Sequence, residues 1–341
     1  MLKRCPDSDF MRLIASFAVV LNHVAGANTP EDVYSCGFTV VCALNAASHF
    51  SVPLFIMISG RFMLGFGENI SRAIKHTLKC IVWIVVWKLV YFADKLIFEG
   101  ADAAFAMNEP QHLWYLYTAA ALYLAAPALS VFAVNASIRV YRYCLIAGLV
   151  MCSVLRLMAE FINPVDVFVG KTHIDTSFGF IWCYLFGYYI YNREAAKKII
   201  PLGVLGAAVT VFGTITASVI AGQHDYRLLS FLAPNVLMYS AAVVYGIKKI
   251  FERNNIFDCK WISCASQTTG IIYGIHMLIF EKLSNSLTTT GCIKRTVILS
   301  AAVWLISAMI GAAWCALRYF FIRSVKNLSK LKDVTARNLQ R

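Results

Sequence analysis

Acidic residues are scarce in this chain: 18 Asp and Glu stand against 31 Lys and Arg in 341 residues. Charge of either sign is thin, at 14% of positions, where a soluble globular chain carries roughly 25%. That excludes a soluble enzyme of this length, and with it a disordered chain, which is rich in charge and poor in apolar residues. A collagen-like repeat is excluded as well. So is a transmembrane barrel, because no strands alternate apolar and polar residues over about ten positions. The 11 cysteines never fall in the paired short spacing of a zinc site. Cys259 and Cys264 come nearest, with no histidine beside them. Cys42, Cys80, Cys144, Cys152, Cys183 and Cys315 sit inside apolar stretches as small packing residues, so no disulfide framework is expected.

What the chain does have is long apolar runs. It is 59% hydrophobic, with a mean hydropathy of +0.65. A helix needs about 20 mostly apolar residues to cross a bilayer. Ten stretches approach that length: 10–27, 38–64, 74–98, 112–134, 138–161, 177–191, 199–221, 228–251, 267–283 and 296–322. The sixth is short and aromatic, and the ninth contains Thr, Gly and His. The expectation is an all-α polytopic membrane protein of about ten transmembrane helices. Lys3 and Arg4 precede the first run as in a signal peptide, but Asn22 and His23 interrupt it, so a retained first helix is expected.

Placing the N-terminus in the cytoplasm gathers the basic loops on one side. These include Arg72, Lys75 and Lys79, Arg139 and Arg142, and Lys248, Lys249 and Arg253. That is the pattern by which membrane proteins orient, so both termini are expected to be cytoplasmic. The net charge of +13 is then a topology signal and not a sign of nucleic-acid binding. Residues 1–322 form the membrane domain, and 323–341 a basic cytoplasmic tail beside an anionic leaflet.

Ionisable side chains at span depth cost energy and mark function by default. Arg12 and His23 are eleven residues apart, which places them on one helix face about 16 Å apart along the axis. His49 and His276 fall near the middles of two other spans, and an imidazole readily takes and returns a proton near neutral pH. The three histidines are candidates either for one polar cavity or for separate packing roles. No His pair has metal-ligand spacing, so no metal is expected. Lys88 lies deep in the third span, and Arg156 and Glu160 are spaced to pair with each other. Arg61, Arg72 and Lys75 cluster at the inner mouth, as topology or phosphate recognition would require.

Four segments, in order, resemble one family. Asp9-Phe10-Met11-Arg12 through Asn22-His23 is similar to the Arg-x10-His signature of the integral-membrane acyltransferase family 3. Ser51-Val52-Pro53-Leu54-Phe55-Ile56-Met57-Ile58-Ser59-Gly60 resembles its VPLFFMISG stretch. His112-Leu113-Trp114-Tyr115-Leu116-Tyr117, with Leu122-Tyr123-Leu124 and Pro127, resembles its HLWYLY segment. Ile272-Tyr273-Gly274-Ile275-His276 is similar to its late IYLIH element. The chain departs from the pattern at Arg61 and Lys88, and an Arg-x-x-Arg element is here Arg72-x-x-Lys75.

The resemblance implies an acyltransferase in a cell membrane, with a bacterial plasma membrane expected. It would move an acyl group, acetyl being expected, from cytoplasmic acyl-CoA to a hydroxyl of a surface glycan or lipid-linked sugar. It implies no permanently bound cofactor. His23 matches the catalytic histidine and, with Arg12, forms the expected catalytic pair. His23 would act as base for the hydroxyl or as carrier of the acyl group. Arg61, Arg72 and Lys75 would hold the CoA phosphates. Ser59, His49, Trp114, Tyr115, Tyr273 and His276 would line the cavity and the acceptor's path. A secondary transporter or glycan-lipid flippase would use the same polar residues, though no repeated half is visible in the sequence.

Overall fold

The computed structural model describes residues 5–65, 67–106, 110–172, 179–193, 197–253, 260–284 and 291–339. Among them there are helices and no strands. Helix α1 is Pro6–Asn28. Pro6 sits in its first turn, where the missing N–H removes no bond, and Asp7 and Asp9 face the positive end of the helix dipole. Then follow α2 (Cys36–Ser48), α3 (Ser51–Met63), α4 (Ile70–Phe98), α5 (Ala101–Phe105), α6 (Trp114–Asn135), α7 (Ile138–Leu149), α8 (Leu155–Ala159) and α9 (Asn163–Thr172). The chain continues with α10 (Gly179–Asn192), α11 (Ile199–Ala208), α12 (Thr214–Ala221), α13 (Pro234–Arg253), α14 (Lys260–Ala265), α15 (Thr269–Ser284) and α16 (Cys292–Leu339).

Among the described residues, seven stretches are long and apolar enough to cross a membrane: Pro6–Asn28, Cys36–Met63, Gln111–Asn135, Ile138–Ala159, Ile199–Ala221, Arg227–Arg253 and Cys292–Phe321. The other three expected spans coincide with α4, α10 and α15, so a helix stands at each of the ten places. Two of those three are short, with 14 residues in α10 and 16 in α15. The protein is an all-α polytopic membrane protein.

Several expected single spans are broken. Cys36–Met63 divides at His49 and Phe50, because Pro53 has no N–H to give the His49 carbonyl and its ring crowds that carbonyl. Single π-type turns join α7 to α8 at Val150–Val154 and α11 to α12 at Val209–Gly213. The segment after 322, expected as a separate tail, continues α16 without a break to Leu339.

Helix α10 is the pillar of the fold. Its residues from Trp182 through Ile190 are all buried, which accounts for a segment that is aromatic and apolar all round. It meets α3 almost backbone to backbone. A Cβ on Gly60 would lie 1.9 Å from the Tyr184 carbonyl oxygen, and one on Gly187 2.0 Å from that of Met57. Small residues allow such approach where helices must associate without a hydrophobic drive between them. By contrast, Ile74, Leu78, Ile81, Val82, Val85 and Leu89 on α4 face outward, as lipid contact requires. In the loop between α12 and α13 the Arg227 side chain binds Asp225 and holds its carboxyl below the usual carboxylate range.

Candidate active site

The N-terminal end of α1 gathers the cations. Arg12 donates to Asp9 at 2.9 Å, and Asp9 also accepts from Ser263 on α14 at 2.9 Å. Arg61 donates to Asp7 at 2.6 Å and to Ser8 at 2.5 Å. Its guanidinium lies 3.6 Å from the centre of the Tyr191 ring, and the Tyr191 hydroxyl donates to Asp7 as well. Phe62 is the common contact: the Arg12 and Arg61 guanidiniums stand 5.1 and 5.2 Å from its ring centre, and Arg72 donates to its carbonyl at 3.3 Å. Arg12 thus meets two of the three expected donor-side cations, Arg61 and Arg72, at one residue. Lys75, one turn beyond Arg72, is exposed.

From Phe62 the polar lining climbs toward the far end of α1. Tyr115 and Tyr123 of α6 both reach Ser59 of α3 with their hydroxyls. Phe55, Ser59 and Phe62 recur at helical spacing on one face of α3, and Phe55 touches Tyr115 at 6.1 Å between ring centres. Tyr273 of α15 lies 5.6 Å from Tyr115, ring to ring, and donates its hydroxyl to the His112 carbonyl. Ser59, Tyr115, Tyr123, Tyr273 and His23 are all packed deep within the bundle, yet each keeps accessible surface. These residues form a run of polar and aromatic side chains between the Arg12 end of α1 and the His23 end.

Three imidazoles meet at the His23 end. The His23 and His276 ring centres are 5.3 Å apart, and those of His276 and His112 are 5.2 Å apart. Helices α1, α15 and the turn before α6 each contribute one. Tyr91 of α4 braces the group: its hydroxyl donates to the Gly274 carbonyl at 3.1 Å, accepts from the Leu278 amide at 3.1 Å and lies 3.4 Å from His112 Nε2. Gly274 makes room for α4, since a Cβ there would sit 1.8 Å from the Trp87 ring.

His49 is elsewhere. It lies 2.8 Å from the Asn45 carbonyl and 3.0 Å from the Asn22 amide nitrogen, within a polar cluster that includes Ser48 and joins α1 to α2. Its ring stacks on Phe231 at 5.4 Å. Trp114 stacks on Phe231 and Phe180 at 5.8 and 5.6 Å, so these rings form one aromatic wall. Lys88 holds its ammonium 5.6 Å from the centre of the Tyr117 ring, and Arg156 pairs with Glu160 at 3.0 Å as their spacing predicts.

The site residue missing from the sequence reading is His112. It opens the aromatic run Trp114-Tyr115, and that position, one turn before a wall of rings, was the available signal. Tyr91 carried no signal of its own, because it is one aromatic among several on an apolar helix.

Residues 6–318 match the sequence profile of the acyltransferase domain, acyltransferase 3. The chain belongs to the acyltransferase 3 family. No curated protein and no solved structure matches the chain. The family's profile therefore spans both the arginine cluster at Phe62 and the three-histidine cluster. Membership supports a membrane acyltransferase, which takes an acyl group from a donor and gives it to an acceptor.

Proposed function

We propose that this protein is a membrane O-acyltransferase that moves an acyl group, acetyl by preference, from cytoplasmic acyl-CoA to a hydroxyl of a surface glycan or lipid-linked sugar. One observation carries the reading: a run of polar and aromatic side chains leads from a cluster of guanidiniums to a cluster of imidazoles. A CoA ester presents those two needs. Its phosphates want cations, and its activated carbonyl wants a nucleophile whose proton has somewhere to go.

In this reading Arg72 and Lys75, assisted by Arg12, hold the phosphates at the cytoplasmic mouth. Asp9 fixes the direction of the Arg12 guanidinium. The acyl end extends along the wall of Tyr115, Tyr123 and Ser59 toward His23. The acceptor hydroxyl gives its proton to His23, its oxygen bonds to the carbonyl carbon, and the carbon–sulfur bond breaks. The CoA thiolate recovers the proton. The aromatic wall of Trp114 and Phe231 offers flat apolar faces of the kind that sugar rings stack on. The orientation, with the N-terminus inside, follows from the basic loops.

Labelled acetyl-CoA supplied to permeabilised membranes of cells making the protein should yield free CoA and labelled glycan. Movement of the glycan-lipid across the bilayer without CoA release would replace this reading with a carrier.

A further inference from the structure

His276 is the most enclosed imidazole of the cluster, 1% exposed. Its Nδ1 lies 2.7 Å from the Tyr273 carbonyl oxygen and 3.1 Å from that of Ile272. Carbonyl oxygens only accept, so the hydrogen sits on Nδ1. A neutral imidazole held in this way presents Nε2 as a bare acceptor. That Nε2 is buried and has no hydrogen-bond partner. An acceptor walled off from water is unfavourable until a donor reaches it.

Two rings stand close enough to supply one. His112 turns its Nε2 toward the Gly274 carbonyl at 3.4 Å, which makes that nitrogen its hydrogen-bearing one and leaves Nδ1 bare. Bare nitrogen cannot donate to bare nitrogen. His23 remains, and among the described residues no hydrogen bond holds its ring nitrogens. Two imidazoles joined by a linear N–H···N bond of about 3 Å stand roughly 5 Å apart, centre to centre. The His23 and His276 centres are 5.3 Å apart, so the spacing suits such a bond, which a turn of the His23 ring would complete.

We propose that His276 is a positioning residue: its Nε2 accepts the ring N–H of His23 and fixes the tautomer in which the other His23 nitrogen is bare and open to the acceptor. The chain of bonds runs from the α15 carbonyls through His276 to His23 and ends on the acceptor hydroxyl. It rests on the acyl-transfer reading only for that last step. In the step itself the hydroxyl proton passes to the bare His23 nitrogen while the new carbon–oxygen bond forms and the carbon–sulfur bond breaks. His23 then returns the proton to the thiolate. His276 keeps its own hydrogen throughout and steadies the transient imidazolium.

The test uses the full-length protein in nanodiscs with nitrogen-15 histidine, read by NMR without substrate. The His23 signals are assigned by their loss in His23→Gln. A single His23 tautomer is expected in the unaltered protein and a mixture in His276→Met, which keeps bulk and removes the acceptor. An unchanged His23 tautomer in His276→Met would overturn the proposal. In the membrane assay with labelled acetyl-CoA, His276→Met should lose at least about 10²-fold in kcat with donor KM unchanged, as a histidine left in the wrong tautomer does. His276→Gln, whose Oε1 reaches the same place, should recover at least tenfold of that loss. Equal turnover of His276→Met and the unaltered protein would also overturn it. Absence of transfer by the unaltered protein would instead remove the acyl-transfer reading, and the tautomer measurement would still decide the role of His276.

Discussion

Arg61 of α3 donates to Asp7 of α1 at 2.6 Å, joining two helices 54 positions apart in the chain. The pair is mostly enclosed, with side chains 20% and 12% exposed. Tyr191 of α10 closes it from a third helix. Removing one partner of a fully buried pair costs about 3–5 kcal/mol, so a partly wetted one should cost about 2 kcal/mol. We expect Arg61→Met and Asp7→Asn each to lower the unfolding temperature in detergent, and the double variant to lose less than the sum. A lone rise in donor KM for Arg61→Met, with stability unchanged, would assign Arg61 to phosphate binding and not to the clasp.

Arg72 donates to the Phe62 carbonyl at 3.3 Å, and Lys75, one turn on, is exposed. They lie at the Arg12 end of α1, far from the imidazoles at its other end. Groups that hold phosphates remote from the reacting carbonyl contribute binding that is equal in ground and transition states. Changing both to Ala should raise the donor KM about tenfold or more, since charge-assisted bonds are roughly twice as strong as neutral ones, and leave kcat within a few-fold. Steady-state kinetics against acetyl-CoA concentration checks this. An unchanged KM in a folded protein would leave these cations with topology as their sole role.

The crossing of α3 and α10 predicts a contrast between two glycines. Gly60→Ala would drive a methyl to 1.9 Å from the Tyr184 carbonyl oxygen, and a helix backbone cannot yield as a flexible side chain can. Overpacking of this kind costs typically about 1–3 kcal/mol, and backbone contact puts it at the upper end. Gly270 of α15 has nothing within 4 Å of its Cβ position. Gly270→Ala should be neutral or gain up to about 1 kcal/mol of helix propensity. Thermal unfolding of both variants side by side decides it, and equal stability would show that the two helices part easily.

The sequence exposed the membrane-spanning pattern because apolar length is a local property. A helix appears at each expected place, and the 3.6-residue period puts Arg12 and His23 on one face of α1. What depends on three-dimensional contact was hidden. His49, at mid-span like His276, turns away into the Asn22–Asn45 cluster, since the break before Pro53 redirects the chain there. His112 joins the imidazoles because the Gly274 notch admits Trp87 and brings Tyr91 of α4 onto α15. A pattern of spacings within one helix carries no record of which neighbour leans on it.

His23 is the imidazole of the cluster that both touches another histidine and keeps accessible surface. As the proposed base it should be essential. His23→Gln retains bulk and a hydrogen-bonding amide but cannot take a proton near neutral pH. Positioned acid–base catalysis typically contributes about 10²–10⁴-fold, so kcat should fall by at least that range while the donor KM holds. A histidine that merely bonds its neighbours would behave otherwise, because bonds between helices in a membrane average about 0.6 kcal/mol and glutamine can replace them. That alternative predicts a small drop in stability with turnover largely kept. The two outcomes separate in a single experiment: CoA release by purified His23→Gln, scored only after its unfolding temperature is found within a few degrees of the unaltered protein's. Turnover within threefold of normal would take His23 out of the mechanism. A loss of about 10²-fold or more with acyl-CoA still bound would place the proton transfer at His23.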